Sequence, residues 1–144
     1  MRRKRFEQYS DHKAKLYPEL HKSIDGKKVI ARTVTFQVTD ACNLACTYCY
    51  QINKNTEYMT KETGKKLIDL ILEMTKNDKS NLINTHTRGF VFSFIGGEPF
   101  MNIDTIDYIC HYFVDRCFEE DLDFLQYWKI SIISNGKLYF TPKV

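Results

Sequence analysis

Three short runs of strand-forming residues, separated by two stretches with helical spacing, limit what this chain can fold into. Thr33-Val34-Thr35-Phe36-Gln37-Val38 is β-branched and alternating, with Val34, Phe36 and Val38 on one face. After the polar stretch from Gln51 to Tyr58, Met59-Thr60 opens a helix. Thr60 can cap it, Glu62 suits its positive end, and Leu67, Ile68, Leu70, Ile71 and Met74 form an apolar stripe. The loop signal Asn77-Asp78-Lys79-Ser80-Asn81 ends it. Gly89-Phe90-Val91-Phe92-Ser93-Phe94-Ile95 is almost continuously apolar, which predicts a strand buried on both faces. A second helix is expected from Ile103 to Glu119, capped by Asn102 or Asp104. Its buried side is Ile103, Ile106, Ile109, Cys110, Phe113, Val114 and Cys117, where the two cysteines read as core residues. Trp128-Lys129-Ile130-Ser131-Ile132-Ile133 is the third strand. Strand, helix, strand, helix, strand predicts a parallel α/β sheet with right-handed crossovers.

In such sheets ligands collect where the loops leave the C-terminal ends of the strands. All three unusual motifs of the chain fall there. Cys42, Cys46 and Cys49, at CxxxCxxC spacing within Thr39 to Tyr50, follow strand one; Gly96-Gly97-Glu98-Pro99 follows strand two; Ser134-Asn135-Gly136 follows strand three. Thiolates are soft ligands, which leaves zinc, copper(I) and iron–sulfur clusters in play over magnesium or calcium. Structural zinc and ordinary ferredoxin clusters take four closed ligands, and His12, His21, His86 and His111 stand isolated in the sequence. Three thiolates therefore point towards a four-iron cluster with one iron open. Paired glycines let backbone approach a ligand closely, and Glu98 with its neighbouring carbonyls offers acceptors for an ammonium. Ser134 and Asn135 add hydroxyl and amide groups. Gly-Gly-Glu or Ser-Asn-Gly alone would be an ordinary turn; their shared location argues for one site built from three loops.

The 144 residues, 43% hydrophobic and 14% aromatic, suffice for one globular domain. Net charge is +3, and much of the basic excess lies in Met1-Arg2-Arg3-Lys4-Arg5, too weak and local for nucleic-acid binding. The absence of an eighteen-residue apolar run and of an apolar segment after the basic start predicts neither a membrane span nor a secretory signal. Five cysteines, clustered three plus two, argue for reduced thiols and a cytoplasmic location rather than a disulfide framework. Residues 1–28 are polar, with Pro18 and Gly26 as breakers, and read as an N-terminal extension before a domain over 29–144.

Taken together, these residues resemble the radical S-adenosylmethionine (SAM) enzymes. Cys42-x-x-x-Cys46-x-x-Cys49 with Tyr48 before the last cysteine is similar to their cluster motif, and the likeness extends through Gly96-Gly97-Glu98-Pro99 and Ser134-Asn135-Gly136 over residues 30 to 138. The wording from Asp40 to Tyr50, with Phe94 to Pro99 downstream, looks most like the branch that modifies peptides and proteins, including the sulfatase-maturating enzymes. The resemblance implies that Cys42, Cys46 and Cys49 ligate three irons of a 4Fe-4S cluster and that SAM chelates the fourth. It further implies that Gly96, Gly97 and Glu98 hold the methionine ammonium, that Tyr48 lies near the adenine, and that Ser134 and Asn135 contact the ribose or carboxylate. An electron from the cluster would cleave SAM to methionine and a 5'-deoxyadenosyl radical, which abstracts a substrate hydrogen.

The family's usual core is a six-unit β/α partial barrel, whereas three strands are recognisable here. The resemblance thus implies the N-terminal half of such a barrel, about three parallel βα units, as a fragment or one part of a split gene. The implied partners are a peptide or protein substrate, an external electron donor, and a second chain supplying the rest of the barrel. A non-catalytic iron–sulfur module is the alternative to an enzyme.

Overall fold

The computed structural model describes residues 30–51, 55–76 and 87–141. The expected extension over 1–28 and the loop signal at 77–81 lie outside the described residues. Alternation sets the first strand, β1 (Ile30–Thr39), which is longer than its β-branched centre. Phe36 and Val38 are buried on one face, while Thr33, Thr35 and Gln37 face outward. β2 (Thr87–Gly96) pairs with β1 in parallel, with Val34 opposite Phe92 and Phe36 opposite Phe94. β3 (Lys129–Ile132) pairs with β2 in parallel, Phe92 opposite Ile130 and Phe94 opposite Ile132. The sheet order is β1-β2-β3. This mixed α/β arrangement is compatible with part of a β/α barrel.

Two helices form the crossovers, α1 (Lys61–Lys76) and α2 (Ile103–Glu119). The Thr63 amide donates to Thr60 Oγ1 at 3.1 Å, so Thr60 caps α1 as its sequence predicts. Of its expected stripe Ile68 and Ile71 are buried and Leu67 and Met74 partly so, whereas Leu70 is exposed and Leu72, outside that stripe, is buried in its place, because the buried arc turns towards Leu72. Asn102 occupies the N-cap position of α2 without capping it through its side chain. Its amide instead donates to Val38 O at 2.8 Å and Met59 O at 3.0 Å, tying the start of α2 to the end of β1.

Both helices pack on the phenylalanine face of the sheet. Phe36, Phe90, Phe92 and Phe94 meet Ile68, Leu72, Ile109, Phe113 and Cys117 in one core. The rings of Phe92 and Phe113 stand 4.7 Å apart edge to face, and Phe36 contacts Phe92 and Phe94 at 5.2 and 5.3 Å. Burying each such side chain contributes about 1.5–3 kcal/mol. The expectation that β2 is buried on both faces is corrected: Phe90, Phe92 and Phe94 are buried, but Val91, Ser93 and Ile95 are only partly covered. The physical reason is that both helices lie on one side of the sheet, and the register puts Thr35 and Ser131 beside Ser93 on the other. That face is polar at its centre.

Candidate functional site

The cysteine loop is closed at its root by the end of β1. Thr39 is buried; its hydroxyl donates to Glu57 O at 2.8 Å and accepts from the Ala41 amide at 3.0 Å. The Asp40 amide donates to Glu57 O, and the Met59 amide donates to Val38 O at 2.9 Å, so the returning chain bridges antiparallel to β1 through Tyr58. The loop therefore leaves and re-enters the fold at one place, above the core. Along it Cys42, Cys46 and Cys49 are free and half-buried, while Tyr48 is 89% exposed. The Leu44 amide donates to Cys42 Sγ at 3.4 Å and the Cys49 amide to Cys46 O at 3.2 Å. Among the described residues no three Cys, His, Asp or Glu side chains are gathered closely enough to hold a metal ion. The loop's donor set is three accessible thiols, which suits a soft metal centre.

At the end of β2 the glycines are required by backbone contact. The Gly97 amide donates to Thr39 O at 3.0 Å and the Glu98 amide to Ala41 O at 2.8 Å. A Cβ at Gly96 would stand 2.2 Å from Thr39 O, and one at Gly97 would stand 2.3 Å from Ala41 O. Any larger residue would push the two strand-end loops apart. Glu98 is fully buried, and its carboxylate is satisfied by three donors. Oε1 accepts from the Phe100 amide at 3.1 Å and from Ser134 Oγ at 2.9 Å; Oε2 accepts from the Asn135 amide at 2.9 Å. A buried carboxylate demands such donors, and here two of the three come from the loop after β3.

The turn after β3 completes the connection. Ser134 Oγ, while donating to Glu98, accepts from the Gly136 amide at 2.9 Å, and Gly136 has φ +77°, a left-handed angle that favours glycine. Asn135 Oδ1 accepts from the Lys137 amide at 3.0 Å. That contact turns the Asn135 NH2 group towards the cysteine loop, where it donates to Asn43 Oδ1 at 2.9 Å and to Cys42 Sγ at 4.0 Å. The motifs at the three strand ends are thus linked through Glu98 and Asn135.

Of the residues expected from sequence to contact SAM, Ser134 and Asn135 adjoin Glu98 directly, Gly96 and Gly97 form the contact with β1, and Tyr48 projects outward on the cysteine loop. The Glu98 oxygens face protein donors. Thr39, Asn43 and Asn102 complete the site and were not expected. Their signals in the sequence are slight: a hydroxyl at the end of a strand, an amide beside the first cysteine, and an amide before a helix.

The strand ends of this parallel sheet carry a three-cysteine loop, a double-glycine contact and a polar turn, a donor set compatible with an iron–sulfur domain. Residues 24–135 match the family described as the 4Fe-4S single cluster domain, and the chain belongs to that family. Two of its relatives are named for S-adenosylmethionine chemistry. It is 31% identical over 117 residues to the S-adenosylmethionine-dependent nucleotide dehydratase of Selenomonas ruminantium, covering 80% of this chain and 34% of that protein. It is 25% identical over 151 aligned positions to the radical SAM cyclopropyl synthase TigE of Paramaledivibacter caminithermalis, covering 96% of this chain and 28% of the relative. An uncharacterized protein of Methanocaldococcus jannaschii is 35% identical over 93 residues, which cover 65% of this chain and 27% of that protein. The chain spans between 27% and 34% of the length of these curated relatives. Among the described residues no helix is long and apolar enough to cross a membrane.

Proposed function

We propose that this chain carries the cluster- and SAM-binding part of a radical SAM enzyme. The observation that carries the reading is the hydrogen-bonded link from Cys42 through Asn135 to Glu98, which joins three strand-end loops into one surface. Cys42, Cys46 and Cys49 hold three irons of a 4Fe-4S cluster, leaving one iron open. Gly96 and Gly97 bring backbone up to the methionine end of SAM, Ser134 and Asn135 meet its ribose or carboxylate, and Tyr48 lies along the adenine. Glu98 serves the SAM site through the Ser134–Gly136 turn that it fixes. Bound there, the cluster and SAM supply one-electron cleavage of a carbon–sulfur bond and a carbon radical for hydrogen abstraction.

An external low-potential donor provides the electron. Ile133, 66% exposed beyond the end of β3, and Ile130 at 48% leave apolar surface next to the sheet. Further β/α units, on the same or a second chain, would cover it. The substrate reading is a peptide or protein, supported by the likeness of Asp40 to Tyr50 to the maturase branch. A nucleotide is the rival, suggested by the name of the Selenomonas relative.

Iron retention tests the ligand assignment. After anaerobic reconstitution the wild-type chain should hold about four irons. Cys42→Ala, Cys46→Ala and Cys49→Ala should each lose most of them, while Cys110→Ala should not. Equal iron in all five proteins would refute the assignment.

A further inference from the structure

Asn135 lies between the buried carboxylate and the cysteine loop, and every polar atom of its side chain has a defined partner. Oδ1 accepts from the Lys137 amide at 3.0 Å, so the amide cannot be flipped without opposing two donors. One face of the NH2 group goes to Asn43 Oδ1 at 2.9 Å and the other to Cys42 Sγ at 4.0 Å. The backbone amide of the same residue donates to Glu98 Oε2 at 2.9 Å, and Ser134 Oγ donates to Oε1 at 2.9 Å. The fully buried Glu98 thus holds the turn from both of its oxygens, and the turn aims a side-chain amide at a thiol sulfur.

Given the cluster reading above, we infer that Asn135 is a hydrogen-bond donor to the Cys42 ligand that sets the reduction potential of the cluster, and that Glu98 is the positioning residue that aims it. The Leu44 amide, at 3.4 Å, already supplies one donor to the same sulfur, which makes Asn135 the second. Donors to a ligating thiolate stabilise the electron-rich reduced cluster more than the oxidised one, which raises the potential. Neither sequence pattern nor loop composition points to this role. It follows from an amide whose orientation is fixed at three points.

The test is a potentiometric titration of the reconstituted 144-residue chain without SAM, followed by electron paramagnetic resonance, beside iron and sulfide assays. Asn135→Leu keeps the side-chain size and removes the donor; the midpoint should become more negative at unchanged iron content. Asn135→Asp keeps the acceptor for the Lys137 amide, so the turn persists, but places a carboxylate oxygen towards the sulfur. Its midpoint should be more negative still, and it decides the matter if Asn135→Leu fails to load. Glu98→Gln should shift in the same direction, and the Glu98→Gln/Asn135→Leu double variant should move no further than Asn135→Leu alone, because the two residues act in series. A wild-type midpoint in a loaded Asn135→Leu or Asn135→Asp protein would overturn the assignment of Asn135. Additive shifts in the double variant would overturn the role of Glu98. If the wild-type chain takes up no iron or sulfide, the cluster reading itself falls, and this inference with it.

Discussion

Replacing Gly97 by alanine adds a single methyl group at the point where the loops after β1 and β2 touch. The new Cβ would lie 2.3 Å from Ala41 O and 2.6 Å from Asp40 O, both rigid backbone atoms. The loops must separate, which breaks or stretches the Gly97 amide bond to Thr39 O and the Glu98 amide bond to Ala41 O. Overpacking costs about 1–3 kcal/mol and two weakened hydrogen bonds about 0.5–1.5 kcal/mol each, so Gly97→Ala should destabilise by about 2–6 kcal/mol. Gly136→Ala is the control with the same added atom. Nothing lies within 4 Å of its Cβ, and φ is +77°. Left-handed strain of about 1–2 kcal/mol, partly offset by reduced unfolded-chain entropy, leaves a net cost of about 0.5–1 kcal/mol. Trp128, the single tryptophan, is buried 5.4 Å from the Phe113 ring, so its fluorescence reports urea unfolding of the core. Gly97→Ala should lower the urea midpoint well beyond Gly136→Ala. Equal midpoints for the two variants would refute the contact argument.

The remaining predictions concern the core and its outer helices. Phe92→Ala removes a fully buried ring and should cost about 3–5 kcal/mol in the same urea assay; a cost under about 1 kcal/mol would contradict the packing described. Burial pulls the Asp69 carboxyl upwards, but hydrogen bonds from Lys65 and Tyr112, then the charges of Lys65 and Arg116, outweigh it and hold it below its usual value. Its stabilising effect is therefore present above the unfolded value of about 4 and is lost as pH falls through the folded one, so Asp69→Asn should flatten the acid side of the stability curve; a curve parallel to wild type would refute this. Burial pushes the Cys110 and Cys117 thiols up to about 12. In the folded apo chain at about pH 8, iodoacetamide should modify Cys42, Cys46 and Cys49 and largely spare the other two; mass spectrometry showing uniform labelling would contradict the burial assigned to them.

Periodicity carried the architecture because hydrophobic spacing acts locally. Val34, Phe36 and Val38 announced one face of β1, and the apolar positions from Ile103 to Cys117 marked the packed side of α2. It misplaced Leu70, because a helical stripe read from sequence leaves the direction of its neighbour open, and Leu72 points to the core instead. The uninterrupted apolar run of β2 suggested burial on both faces. Its outer face has a serine at the centre, and the helices cover only the phenylalanine side. Motif order located the strand-end loops together, since parallel topology puts successive C-terminal ends on one edge. The bonds among those loops were not legible. Glu98 meets Ser134 and Asn135 more than thirty positions away, and Asn102 reaches Val38 sixty-four positions away. Such pairings depend on three-dimensional register, and a glutamate that offers acceptors in sequence is, in the fold, already supplied with donors.

The proposed site for a 4Fe-4S cluster and SAM is the three-cysteine loop together with the two neighbouring strand ends. Electron paramagnetic resonance of the anaerobically reconstituted, reduced chain, recorded with and without SAM, tests it most directly. The expected result is a four-iron signal whose shape and g-values change when SAM is added, because the open iron gains a ligand. A four-iron signal indifferent to SAM would contradict it.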